Sequence, residues 1–142
     1  MKVLDQGDKI LIIMESGDLI TKNLTELAKK TSISGFFVGL GAVKKPTIGF
    51  FDLNQKRYIR FTLNGEFEVV SFIGNISYDK ENNPIVHAHI CLGDKDYRIF
   101  GGHLFEAEVS VTLEILLIKT DRIIRKIDDR FDLKLIDRIE PQ

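Results

Sequence analysis

Residues 85–105 read I-V-H-A-H-I-C-L-G-D-K-D-Y-R-I-F-G-G-H-L-F and hold all three histidines of the chain, His87, His89 and His103. Pro84 and Gly93 bound an apolar run in which His87 and His89 stand two apart, the spacing that puts side chains on one face of a β-strand. After a polar turn a second extended run carries His103, so the stretch predicts a β-hairpin. A three-residue loop at Asp94, Lys95 and Asp96, closed by Gly93 and Tyr97, would set His87 opposite His103. Their side-chain bases would then lie about 4.5–5.5 Å apart, with His89 on the same face. A two-residue loop would turn His103 to the other side unless a bulge at Gly101 and Gly102 restored the parity.

Working outward, residues 9–14 (K-I-L-I-I-M) read as a short strand apolar on both faces. Asp18 is the expected N-cap of a helix through Leu19, Ile20, Leu24, Leu27 and Ala28, with Lys22, Glu26, Lys29 and Lys30 on its solvated side. A start at Asn23 with Glu26 in a capping box is the other reading. Beyond Gly35 the pattern turns to strands at 36–43, 47–51, 57–63, 67–78, 109–118 and 130–139. Gly39 and Gly41 mark bulges or close approaches, and Asn64-Gly65 marks a two-residue hairpin. One helix near the start and about eight short strands predict an α+β fold with a mainly antiparallel sheet. Several strands are apolar on both faces and one helix covers only part of one face. A second layer, a closed barrel or burial against other subunits must supply the remaining cover.

The chain has 142 residues, enough for one domain spanning 1–142. Twenty basic residues against twenty-one acidic give a net charge of -1, which supplies no general attraction to nucleic acid or to an anionic membrane. The locally basic run 119–130 is interspersed with acids and reads as a solvated surface. Cys91 is the only cysteine, and no apolar run approaches the roughly 20 residues of a spanning helix. A reducing cytoplasm and no membrane partner are the expectation. Gly39-Leu40-Gly41 lacks the third glycine of a dinucleotide fingerprint, so no nucleotide cofactor is expected.

Three neutral imidazoles on one face suit a divalent metal, zinc first, and three protein ligands leave a fourth position open. Cys91 continues the strand face of His87 and His89 and is a further ligand candidate, which would close the site. Glu68 and Glu114 stand among apolar strand residues. Each is a candidate ligand, supporting partner or general base, with an edge position or ordinary ion pair as the plainer reading.

The ordered blocks G-L-G-A (39–42), G-E-F-E-V-V-S-F-I-G-N-I (65–76), H-A-H (87–89), G-G-H-L (101–104) and V-T-L-E-I (111–115) resemble the plants and prokaryotes conserved (PPC) domain over about residues 9–120. The resemblance implies an α+β fold assembled as a homotrimer, with His87, His89 and His103 as metal ligands. It also implies a role in self-association and partner contacts. In plant relatives the domain follows AT-hooks in DNA-binding proteins; the AT-hook core R-G-R-P is absent here, so DNA is a partner by resemblance alone. The functional expectation is a homotrimeric, metal-binding interaction module in DNA-associated regulation. The alternative is a small enzyme whose three-histidine metal activates water.

Overall fold

Strand β6 (Pro84–Gly93) and strand β7 (Ile99–Lys119) form the hairpin expected at the histidines, and the rest of the sheet grows from β7. The computed structural model describes residues 1–141. The other elements are β1 (Lys2–Asp5), β2 (Lys9–Glu15), α1 (Ile20–Thr31), β3 (Gly35–Asp52), β4 (Arg57–Thr62), β5 (Glu66–Tyr78), β8 (Arg122–Asp128) and β9 (Leu133–Glu140). The α+β expectation holds: one helix and nine strands in one sheet among the described residues. Every strand pair is antiparallel except a parallel contact of Tyr78 with Ile124.

The runs at 36–43 and 47–51 join into the single strand β3, irregular at Gly39–Gly41 and again near Lys44–Thr47. Its N-terminal half pairs with β5 and its C-terminal half with β4. Asn64-Gly65 is therefore not a two-residue hairpin. The chain passes from β4 to β5 alongside β3, where Leu63 N donates to Pro46 O and Lys45 N to Gly65 O. The irregularity in β3 offers those unpaired groups, and they hold the connection in place.

Strand β3 pairs with β5, β5 with β6, β6 with β7 and β7 with β3, so these four close on themselves. Closure provides one of the covers required by the doubly apolar strands. Phe37, Phe72, Ile90, Leu92, Leu104 and Leu113 belong to one buried core, with the Phe37 and Phe72 rings 5.0 Å apart. Helix α1 adds Ile20, Leu24, Leu27 and Ala28, each buried side chain contributing on the order of 1.5–3 kcal/mol for the large aliphatics.

Asp18 does not cap α1. Its carboxylate accepts instead from Glu15 N and Asn23 Nδ2, and the helix start is held by a residue far along the chain. Thr21 N and Lys22 N donate to the Glu106 carboxylate at 2.8 and 3.1 Å, where a negative charge also suits the helix dipole. The opposite sheet face remains open: Phe36 beside Ile118, and Val38 between Leu116 and Ile73, are all exposed apolar side chains. No helix among the described residues is long and apolar enough to cross a membrane.

Candidate metal centre

Asp94 sets the register of the histidine hairpin. Its Oδ1 accepts from Asp96 N and Arg98 N, both at 2.9 Å, and its carbonyl accepts from Tyr97 N at 3.0 Å. Its own N–H donates to Arg98 O at 3.0 Å, while Tyr97 takes a left-handed φ of 61°. The loop is thus residues 95–97 closed by Asp94 and Arg98, one step beyond the expected loop. Moving both strands by one residue preserves the parity but changes the partner: His103 stands opposite His89, not His87.

Gly101 and Gly102 form no bulge with β6; they pair regularly with Cys91 and Ile90. Gly102 answers a different need. A Cβ there would lie 2.7 Å from the Gly49 carbonyl oxygen, so its absence lets β3 come close to β7 just where Gly49 pairs with His103.

Ala88, Ile90 and Leu104 turn into the core, and the alternation sends the three histidines to the outer face. Ring centroids are 5.2 Å apart for His87–His89, 5.2 Å for His87–His103 and 5.7 Å for His89–His103. One nitrogen from each ring can be chosen so that all three lie within 4.8 Å of one another. Burial, then the positive Arg125 and neighbouring His89, hold His87 down to about 4. Burial, then His87, His89 and Arg60, hold His103 down to about 4. Both imidazoles are neutral near pH 7 and offer lone pairs, as metal ligation requires.

Two flanks support the cluster. On one, Tyr58 of β4 places its hydroxyl 3.4 Å from His103 Nδ1, and Phe105 packs against the same imidazole at 4.8 Å. Arg60 lies over the Phe105 ring, 3.8 Å from its centroid. On the other flank Arg125 of β8, buried at 5 % exposure, brings Nη2 to 3.3 Å from His87 Nδ1. Beside the histidines opens a cleft of about 370 Å³ with Asn75, His87 and His89 at its polar end and Phe36, Ile73 and Leu116 among its walls.

The cluster does not include Cys91, Glu68 or Glu114. Cys91 follows His89 by two residues and pairs with Gly101 and Ser71. Glu68 is exposed and stands opposite Gly93, four residues along β6 from His89, a run of roughly 13 Å at strand spacing. Glu114 is exposed and stands opposite Leu40, whereas His103 stands opposite Gly49. Tyr58 was not singled out from the sequence, and Arg125 lies in the run 119–130 expected to be a solvated surface, an expectation that its burial overturns. Ile123, Ile124 and Arg125 are buried in succession, so no alternation distinguishes Arg125 from the charged residues around it.

The model of the Plants and Prokaryotes Conserved (PCC) domain matches residues 1–121. A Pyrococcus horikoshii plant- and prokaryote-conserved (PPC) protein of known crystal structure is 32% identical with a TM-score of 0.84, covering 98% of this chain and 95% of its own. A "putative DNA binding protein" from Bacteroides thetaiotaomicron is 29% identical with a TM-score of 0.90, covering 96% of each chain. A metal-containing protein from Archaeoglobus fulgidus is 28% identical with a TM-score of 0.83, covering 97% of this chain and 100% of its own. Among curated proteins no relative matches. The matched segment takes in the closed strands and all three histidines, and the chain belongs to the Plants and Prokaryotes Conserved domain family.

Proposed function

We propose that this chain, residues 1–142 as one domain, is a metal-binding, self-associating interaction module that works as a homotrimer in DNA-associated regulation in the cytoplasm. The observation that carries the metal reading is the convergence of three imidazoles, with ligand atoms within 4.8 Å, two of them held neutral by burial. The residues fit the group: an all-nitrogen donor set suits zinc first among divalent metals, and the Archaeoglobus relative is a metal-containing protein. His87, His89 and His103 would hold the ion, which would supply Lewis acidity beside the cleft. Around it, the Tyr58 hydroxyl can accept a hydrogen bond from His103 Nδ1–H, an arrangement that leaves Nε2 free to ligate.

Trimer assembly is supported by the exposed apolar side chains of β3, β5 and β7, which share a face that α1 does not cover. DNA association rests on the Bacteroides relative's description alone, because a net charge of -1 gives the chain no general pull on phosphates. The enzymatic reading is the weaker one. Its candidate bases, Glu68 and Glu114, lie outside the histidine cluster.

Elemental analysis of purified protein tests the metal reading: about one divalent ion per chain is expected, and a chain that takes up none at neutral pH refutes it. Solution mass measurement tests the trimer, and a stable monomer at micromolar concentration refutes that part. DNA filter binding should weaken steeply as salt rises; absence of binding by the assembled protein at low salt removes the regulatory role.

A further inference from the structure

Arg125 is a buried cation with no carboxylate against it. Its Nε donates to Ser77 Oγ at 2.7 Å, Nη1 to Lys134 O at 2.7 Å and Nη2 to Asn75 Oδ1 at 2.9 Å, and its remaining contact is His87 Nδ1. All four partners are neutral at pH 7. Asp79, Glu81 and Asp129 line a groove together with Arg125, but none of them forms an ion pair with it among the described residues, and the groups that act on His87 and His103 are histidines, Arg60 and Arg125 itself. A buried guanidinium normally requires a negative partner, since neutral hydrogen bonds satisfy its donors without cancelling its charge. Adding a divalent ion to three neutral imidazoles makes the imbalance larger.

The hydrogen-bonding roles point the same way. Arginine can only donate, so its contact with His87 is a hydrogen bond only while Nδ1 is unprotonated. If the metal binds Nε2, a neutral His87 carries its proton on Nδ1, and an Arg125 N–H loses its acceptor. If the metal binds Nδ1, Arg125 stands beside the coordination sphere itself. In both cases a negatively charged hydrogen-bond acceptor would restore the balance. The cleft alongside is lined by Asn75, His87 and His89, the first two in contact with Arg125 Nη2, and its apolar walls belong to the face assigned above to the trimer.

We infer that the histidine centre binds a small oxyanion, carboxylate or phosphate, at the polar end of this cleft beside Asn75 and His87, where it offsets the charge of Arg125. The inference rests on the metal reading given above. Arg125 is supplied by β8, which follows the matched residues 1–121.

The test uses the full chain loaded with Co²⁺, whose visible absorption reports its coordination, titrated with acetate and separately with inorganic phosphate. A saturable spectral change with either anion is expected, and the tighter of the two assigns the group. Arg125→Gln should raise the half-saturating concentration by about tenfold or more, as expected for a charge-assisted bond, while holding Co²⁺ at least as tightly because a positive charge has gone. No saturable change with either anion, or an unchanged half-saturation in Arg125→Gln, overturns the inference while leaving the metal reading intact. Failure of the wild type to take up Co²⁺ refutes the metal reading and this inference with it. Should Arg125→Gln not fold, reciprocity decides in the wild type: the anion must tighten Co²⁺ binding by the factor by which Co²⁺ tightens the anion, and no tightening overturns the inference.

Discussion

On its β4 flank the histidine cluster meets Tyr58, whose hydroxyl can accept a hydrogen bond from His103, whereas on its β8 flank it meets Arg125, which can only donate toward His87. The first arrangement supports a metal-bound imidazole. The second penalises one unless an anion joins it. Their surroundings differ as well. Tyr58 packs against Phe51 and Phe105 in an aromatic group, while Arg125 is embedded among hydrogen bonds to Ser77, Asn75 and Lys134. One flank is thus built to favour the cation and the other to favour whatever balances it. Mutations on the two sides should therefore separate metal affinity from anion affinity.

The largest effect should come from removing what the flanks share. His87→Ala combined with His89→Ala leaves one imidazole, and bound metal by elemental analysis should fall to background while the fold, read by circular dichroism, persists. Gly102→Ala comes next and strikes the His103 side alone. Its new methyl group meets the Gly49 carbonyl oxygen, pressing β3 away from β7, for an expected cost of about 1–3 kcal/mol in thermal unfolding with weakened metal binding. Tyr58→Phe should be milder. It removes only a 3.4 Å contact, and metal affinity by competition with a chelator should fall about tenfold, the low end for a residue that orients a ligand. If Tyr58→Phe and Arg125→Gln changed metal affinity equally and in the same direction, the contrast between the flanks would be lost.

How far the site could be read from the sequence follows the same division. The H-x-H spacing and period-2 alternation place three imidazoles on one face, and that conclusion survives a shift of one residue in each strand because parity is unchanged. The register does not survive it, since the loop is chosen by hydrogen bonds to Asp94 that no apolar pattern records. Tyr58 reaches His103 across 45 residues and Arg125 reaches His87 across 38, contacts created by sheet pairing rather than local spacing. The helix cap failed for the same reason: Asp18 is well placed in sequence, yet Glu106 lies 85 residues beyond the amide it caps. Residues set by alternation were legible, and those set by long-range pairing were not.

The smallest predicted effect lies one step behind Arg125 and carries a pH signature. The carbonyl that holds Arg125 Nη1 belongs to Lys134, whose Nζ donates to Asp79 Oδ2 at 2.8 Å. Asp79 is buried and also accepts from Glu81 N, Asn83 N and Asn83 Nδ2, so it ties β9 to the turn after β5. The Lys134 hydrogen bond above all, with further bonds from Asn83, holds its carboxyl down to about 2 against an ordinary value of 3.8. Because the folded value lies below the unfolded one, the stabilisation is complete above about 3.8 and is lost as pH falls through about 2. Asp79→Asn should therefore lower stability near neutral pH by about 1 kcal/mol or less, since Lys134 is partly exposed, and the gap from wild type should close between those two pH values. Hydrogen exchange should quicken in β8 and β9 and leave β6 unchanged. Metal affinity should be unaltered, whereas the half-saturating oxyanion concentration should rise slightly, because a looser β9 carbonyl holds Arg125 less firmly in place. Equal loosening of β6 would show that the two flanks are one cooperative unit and that Asp79 supports the whole cluster.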